Sequence, residues 1–525
     1  MKRTYRKTAA LLFALALAFV IMPSLALADD APECYMEEPP EQYRSGGIVS
    51  MPVTSVHDES IISVEKTALI PASYRLDDSR LTPVKNQDPY GTCWAFSAIG
   101  SAESILESEA LVSDPDFSEW QLAYNAYTSV DGQPAFHLSA GETPYNVGGN
   151  DIIAAAMFTR GVSPVWESQV PYNSGTPSEV YSPEYTLKSW SVGHKVYDTQ
   201  DNTEWKTMLM EKGALSVSYF HNPAYCNFNE TSYYNPEQLN YTNHAVTLVG
   251  WDDNYSYNNF RYTPAGNGAW IIKNSWGDTW GDNGYFYISY YDKTLSTDAS
   301  AFELMPNING EKMYTHDELG MQMSLVFNAD ETVYTKSVFT ATGYEKLKSI
   351  GMYTKYDNTG YTIQIRTANL SGEFTDAWGT PQAGMLAKAG YARIDLESFV
   401  PLSAGQKYEV IVSYVTPGTG TYLPVEFTPS SVYATGQSFF STDGTTWTDL
   451  YGYFPLGPCD TCIFAFTLPD SVPERTVTFL TQGGSAVEPI SVSIGALLPE
   501  PPVPRKTGFM LSGWYRDAAC TDKCQ

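Results

Sequence analysis

Basic residues are scarce in this chain. It carries 31 Lys and Arg against 59 Asp and Glu over 525 residues, a formal net charge of −28. A nucleic-acid partner is excluded on that ground, because phosphate backbones are held by clustered positive charge. Long apolar runs are scarce too. The one present, Ala9 to Met22, falls short of the roughly 20 residues that a membrane-spanning helix needs. It follows Lys2, Arg3, Arg6 and Lys7 and precedes Pro23 and the triplet Ala26-Leu27-Ala28, the pattern of a secretory signal peptide cut before Asp29. The mature chain is therefore expected to be secreted or held at the cell surface, with no transmembrane segment after signal cleavage. Charged residues make up only 17% of the chain while aromatics make up 14%, including 38 Tyr, which argues against disorder and for an ordered, sheet-rich protein.

Histidine is limited to six copies, and the cysteines number seven, so at least one thiol is unpaired or bonded to another molecule. Cys459 and Cys462 read as a local disulfide or a redox pair; one C-x-x-C without a second is poor support for zinc. Cys520 and Cys524 form a similar pair, and a bridge between Cys34 and Cys226 would leave Cys93 as the odd thiol.

Five blocks follow from composition. Residues 1–28 are the signal peptide and 29–68 an acidic, proline-bearing leader or short propeptide with at most one strand, near Ile61 to Val64. Residues 69–300 open with a helix over Trp94 to Leu111, whose apolar face is Phe96, Ile99, Ala102, Ile105 and Leu106, and continue with strands such as "HAVTLVGWDD" and "GAWIIKNSWG". Residues 301–469 lose the helical period; short strands such as "KSIGMYTKY" and "KYEVIVSYV" alternate with turns, as in an antiparallel sandwich. A Pro-bearing linker at Asp470 to Arg475 leads to a small strand-rich unit at 475–525. The fold class is α+β for the first folded block, followed by an all-β sandwich and a small β-rich unit.

The chemistry concentrates at three places. Cys93, in "NQDPYGTCWAFS", opens the predicted helix, where unpaired N–H groups and the positive end of the helix dipole favour a thiolate. Those N–H groups, with the side-chain amide of Gln87, could also hold an oxyanion. His244 opens an apolar strand, and Asn274, thirty residues on, offers an amide to orient the imidazole. A lone histidine before a strand is ordinarily structural, and an isolated Asn-Ser-Trp-Gly is ordinarily a turn. The ordered set Gln, Cys-Trp, His, Asn is what points to nucleophilic catalysis.

These stretches, "PVKNQ.....CWAFS", "NHAV" and "NSWG..WG..GYF", resemble the three active-site blocks of papain-like cysteine peptidases. The resemblance implies a two-lobed fold with Cys93 as nucleophile, His244 as base and then acid, Asn274 as orienting residue and Gln87 as oxyanion donor. It implies that Trp276 shields the Asn274–His244 pair and that Gly148, Gly149 and Asn150 pair with substrate backbone. A second subsite, the main specificity pocket, would lie near Gly149, Asn150, Asn243 and Ala245. No metal or other cofactor is implied. The chain departs from the family pattern at Tyr90 and at Asn146 and Val147, where relatives carry a disulfide, and the leader is too short for a long helical prodomain.

Through "GYEKLKSIGMYTKYDNTGYTIQIRT", the block 301–469 resembles the lectin-like domain that follows such peptidases in some bacterial and archaeal relatives. Tyr353 and Tyr356 there are candidate sugar-stacking residues or plain strand residues. Through "TVTFLTQGGSAVEPI" and "TGFMLSGWYRDAAC", residues 475–525 resemble an internalin-type B repeat, a grasp-like module, here without the final strand such repeats end with, as in a truncated product. The reading is an exported cysteine endopeptidase acting on protein or peptide substrates, with cell-surface glycan or cell-wall contact through residues 301–525. Two alternatives stand beside it: an adhesion or glycan-binding surface protein with an inactive peptidase-like scaffold, and a thiol transpeptidase or amidase acting on cell-wall peptides.

Overall fold

The computed structural model describes residues 70–516 apart from 110, 130–134, 178–179, 196–200, 240, 419, 428–432, 454–457, 472–473 and 494–497, together with Tyr35–Met36 and Lys523. The signal peptide, the strand expected near Ile61 to Val64, and Cys34, Cys520 and Cys524 lie outside the described residues.

Four helices belong to the first folded block: α1 (Cys93–Ser108), α2 (Glu119–Tyr127), α3 (Asp151–Thr159) and α4 (Thr203–Lys212). Ser118 caps α2 by accepting from the Gln121 N–H at 3.0 Å, and Asn150 caps α3 by accepting from the Ile153 N–H at 3.0 Å. The start of α1 has no side-chain cap. This helix also departs from the one-faced pattern expected of it: from Cys93 to Leu106 every residue but Gly100 is buried. The cause is its place between two cores. Ala98, Ile99, Ala102 and Leu106 pack with α2 and α3, whereas Ile105 packs with α4 and the strand lobe around Trp205, Trp251 and Trp270.

That second lobe is built on antiparallel strands. In chain order they are β1 (Tyr185–His194), β2 (Leu215–Tyr219), β3 (His244–Asp252), β4 (Ala269–Lys273), β5 (Tyr285–Ser289) and β6 (Asp298–Pro306), lying in the spatial order β1-β6-β2-β3-β4-β5. The N-terminus of α1 meets the start of β3 where the lobe and the helices adjoin, with the Ala245 backbone beside the Cys93 thiol, and this junction is the cleft of the site.

The later block is almost entirely strand. Β-strands β7 (Glu345–Thr354), β8 (Thr359–Ala368), β9 (Ala389–Leu402) and β10 (Lys407–Val415) lie in two sheets whose inner faces share one core, with Ile350 and Met352 on one side and Ile363, Val410 and Val412 on the other. A four-stranded sheet adds Leu325 and Leu423 to that core, and its outermost strand is Tyr35–Met36 from the leader, paired antiparallel with Val326 and Leu325.

The two blocks are not joined by a linker alone. Strand β9 pairs with β1 from Ala389 opposite Val192 to Ala392 opposite Ser189, so one twelve-stranded sheet runs through both. Phe158 and Trp190 of the first block and Phe302 of β6, the strand that crosses the boundary between the blocks, share a core with Tyr353, Tyr391 and Phe464 of the second. Tyr353 is 0% exposed and its hydroxyl lies 3.0 Å from Thr159 Oγ1 at the end of α3. This corrects its reading as a sugar-stacking residue, because the seam consumes the ring. Tyr356 is partly buried, 4.5 Å from the Tyr422 ring.

The local disulfide expected of Cys459 and Cys462 is also corrected. Both are buried and neither is joined in a disulfide, and the same holds of Cys226. Cys459 belongs to the sandwich core and Cys462 to the core shared with the first block. In the terminal unit, Glu474–Val477 pairs antiparallel with Ile490–Ser493, and Phe479 packs on Trp514 at 5.0 Å.

Candidate active site

Cys93 is the first residue of α1 and is 1% exposed. Burial pushes its thiol up to about 11, while the backbone N–H groups of Ala245, Trp94 and Cys93 itself act in the opposite direction. The contribution of Ala245 places the sulfur against the residue that follows His244. Thr92, just before the helix, does not cap it; its hydroxyl is 2.6 Å from that of Tyr172, which in turn donates to the Gln87 carbonyl at 2.7 Å. At the start of α1 the Ala95 and Phe96 N–H groups donate to the Thr92 carbonyl at 2.9 and 3.2 Å, and those of Cys93 and Trp94 act on the thiol.

His244 is 4% exposed at the head of β3. Its Nε2 lies 2.8 Å from Asn274 Oδ1, which also accepts from the Ser275 N–H at 2.9 Å. With an amide oxygen as acceptor, Nε2 carries the proton and Nδ1 is left for another partner. Trp276 lies flat over the imidazole, and Trp280 meets Trp276 edge-on at 5.0 Å. Burial pulls the imidazole down to about 3, against the raising effect of Asn274. Gln87 accepts from Ser275 Oγ at 2.7 Å and donates from Nε2 to the Tyr90 carbonyl at 2.8 Å, which uses one of its two amide hydrogens. All four predicted catalytic positions thus converge on one cleft.

The predicted substrate-binding residues flank it. Gly149 packs so closely on the Trp94 indole that a Cβ would come within 2.4 Å of the ring, and Gly148 has φ +87° with its carbonyl accepting from Tyr127 Oη at 2.8 Å. The Asn150 side chain is engaged in capping α3. Asn243 is engaged as well: Oδ1 accepts from the His221 N–H at 2.6 Å and Nδ2 donates to the His221 carbonyl at 3.0 Å. Ala245 is buried opposite Ser218 of β2. Where relatives carry the disulfide, Tyr90 packs against Trp120 at 4.8 Å, Trp120 stacks on Tyr145 at 3.4 Å, and the Gly91 N–H donates to the Tyr145 carbonyl at 2.9 Å. An aromatic cluster fills the place of the covalent staple.

Two groups near the site escaped sequence reasoning. Lys85 bonds Glu103 at 3.0 Å and Glu119 at 2.8 Å, and Thr82 donates to Glu103 at 2.7 Å while receiving Lys273 at 3.1 Å. This network ties the Gln87 loop to α1, α2 and the residue before Asn274. His221 meets Trp276 edge-on at 4.8 Å, and burial lowers it to about 4. A buried carboxylate inside an apolar helix, as at Glu103, is the one signal that could have revealed the network.

Comparison with known proteins agrees with this geometry. Residues 70–303 match the papain family cysteine protease profile, 313–467 the lectin like domain and 476–525 the Listeria-Bacteroides repeat domain. The crystal structure of the cysteine protease and lectin-like domains of Cwp84, a surface layer associated protein of Clostridium difficile, superposes with a TM-score of 0.68 at 24% identity, over 83% of this chain and 98% of that one. Clostridial Cwp84 after propeptide cleavage gives 0.66 at 26% identity, over 76% of this chain and 99% of that one. A cysteine proteinase of Trypanosoma brucei brucei is 29% identical over 215 residues, 40% of this chain and 41% of its own length. The chain thus spans less than half of that relative's length. The chain carries, in series, a papain family cysteine protease domain at residues 70–303, a lectin-like domain and a Listeria-Bacteroides repeat.

Proposed function

We propose that the protein is an exported endopeptidase that hydrolyses peptide bonds through an acyl-enzyme on Cys93. The observation that carries the reading is the His244 Nε2 to Asn274 Oδ1 bond of 2.8 Å beside a thiol at the uncapped start of α1. With Nε2 held by Asn274, Nδ1 serves the thiol. Burial opposes a net charge on either group alone. Passing the proton from sulfur to imidazole keeps the net charge of the pair at zero, so the thiolate forms together with the imidazolium that stabilises it.

Attack of sulfur on the scissile carbonyl places negative charge on its oxygen. The Cys93 N–H and the second amide hydrogen of Gln87 are the donors for it. His244 then returns the proton to the departing amine, leaving a thioester on Cys93. A water molecule, deprotonated by His244, completes hydrolysis. Export is supported by the N-terminal sequence pattern; among the described residues no helix is long and apolar enough to cross a membrane.

Labelling with a peptidyl epoxide tests this. One adduct on the mature protein by intact mass, absent in Cys93→Ala and slow in His244→Ala, is the expected result. No adduct, even after removal of residues 29–68, would overturn it in favour of an inactive scaffold.

Surface contact through the lectin-like domain is part of the same reading. An open cavity of about 600 Å³ at its junction with α3 is lined by Tyr314, His316, Phe339, Lys407 and Gln437, a mix of rings and polar groups suited to a saccharide. Retention on a glycan array is the test; no retention on any sugar would leave the domain a structural part.

A further inference from the structure

The face of β2 that packs toward α1 beside Ala245 is polar and buried, where an aliphatic side chain would meet an apolar one. Ser218 lies opposite Ala245, and Ser216, two residues along β2 on the same face, lies opposite Thr247 of β3 and Ser300 of β6. Onto this face comes Asp151, the first residue of α3 and the neighbour of Asn150. Its Oδ1 accepts from Ser216 Oγ at 2.8 Å, and Ser216 Oγ receives Ser97 Oγ, one turn into α1 from Cys93, at 2.8 Å. A line of hydroxyls therefore connects the carboxyl to the helix that carries the thiol.

Two observations set Asp151 apart from an ordinary helix-start acid. Among the described residues no Lys, Arg or His lies within ion-pair distance of it, although it is only 7% exposed. Ser300, fully buried and near the same carboxyl, has a hydroxyl with no hydrogen-bond partner among the described residues. Burial raises the Asp151 carboxyl to about 6, with the nearby Asp298 acting in the same direction; Asp298 is itself bonded to His194 at 2.8 Å. At neutral pH this leaves a charge beside the cleft with serine hydroxyls and no cation of its own.

We infer that Asp151 forms the polar end of the second subsite and selects substrates with a lysine or arginine two residues before the scissile bond. The inference rests on the peptidase reading above. An ammonium or guanidinium reaching along Ala245 meets Asp151 and completes the ion pair that the fold leaves half made, and a glutamate there meets like charge. The excess of 59 acidic over 31 basic residues draws the same substrates toward the protein.

Peptide substrates identical except for Lys, Leu or Glu at that position test it, assayed on the mature protein at neutral pH. The expected kcat/KM order is Lys, then Leu, then Glu, with Lys ahead of Leu by about tenfold or more. In Asp151→Asn the lysine substrate loses about tenfold more than the leucine substrate, through KM rather than kcat. Turnover with leucine favoured, or a lysine preference that survives Asp151→Asn, overturns the inference alone. Absence of turnover together with absence of an epoxide adduct overturns the peptidase reading, and this inference with it. Should Asp151→Asn fail to fold, the wild-type Lys to Glu ratio decides: a ratio at or below one overturns the assignment.

Discussion

The imidazole of His244 and the indole of Trp276 are stacked, with ring centroids 4.5 Å apart and planes 17° apart. The imidazole under the indole bonds Asn274 Oδ1 at 2.8 Å, and we propose that the indole keeps water from competing for that oxygen.

Removing that cover weakens the bond without deleting either partner. Trp276→Ala is expected to lower kcat/KM about tenfold, the effect of losing roughly 1 to 1.5 kcal/mol of orientation, whereas Trp276→Phe keeps most of the rate. Fluorogenic peptide hydrolysis measures both. Equal rates for the alanine variant and the wild type would mean that the indole has no such role.

Gln87 offers a cleaner separation of binding from chemistry. Gln87→Glu keeps an acceptor for Ser275 Oγ but removes the amide donor. If that donor serves the oxyanion, kcat falls by about 10² to 10³ and KM changes little. A change confined to KM would assign Gln87 to substrate positioning.

Asp460 makes stability depend on pH. It is buried, and desolvation, reinforced by Asp317, Glu318 and Asp449, raises its carboxyl to about 7. The folded state then holds a proton that the unfolded chain releases near pH 4. The stability this group contributes is complete below about pH 4 and is lost as pH rises through about 7. Relative to Asp460→Asn, the wild type should lose several degrees of Tm between pH 4.5 and pH 8. A constant difference across that range would refute the assignment.

The seam between the two blocks predicts joint unfolding. Tyr353→Ala opens a cavity in a core that contains Phe158 and Trp190, and is expected to cost about 3 to 5 kcal/mol; Tyr353→Phe, which loses only the contact with Thr159, costs about 1 kcal/mol. Calorimetry should show one transition for residues 70–469, displaced as a whole by Tyr353→Ala. Two transitions, with only the later one displaced, would mean that the blocks unfold independently.

Much of the site was legible because its signals are local. A helix beginning at Cys93, a strand beginning at His244 and a turn holding Asn274 each leave a pattern within about ten residues, and the structure brings those positions into one cleft. What was not legible depends on distant pairing. Nothing near Ala389 announces that it will lie opposite Val192, and so the burial of Tyr353 could not be read from its strand. Nor does the sequence around Asp151 show that Ser216, in another lobe, will donate to its carboxyl. Cys459 and Cys462 mislead for a related reason: their spacing suits a bridge, but the two side chains belong to different cores.

The pairing of Ala389 to Ala392 with Val192 to Ser189 also has a mechanical meaning. Two bodies that share a continuous hydrogen-bonded ribbon and a common interior have no swivel between them. Anything anchored on the later body is offered to the cleft from a fixed bearing, as a workpiece is by a vice. Which bonds of a tethered polymer can be cut would then be governed by reach and angle as well as by the side chains that fit beside Cys93.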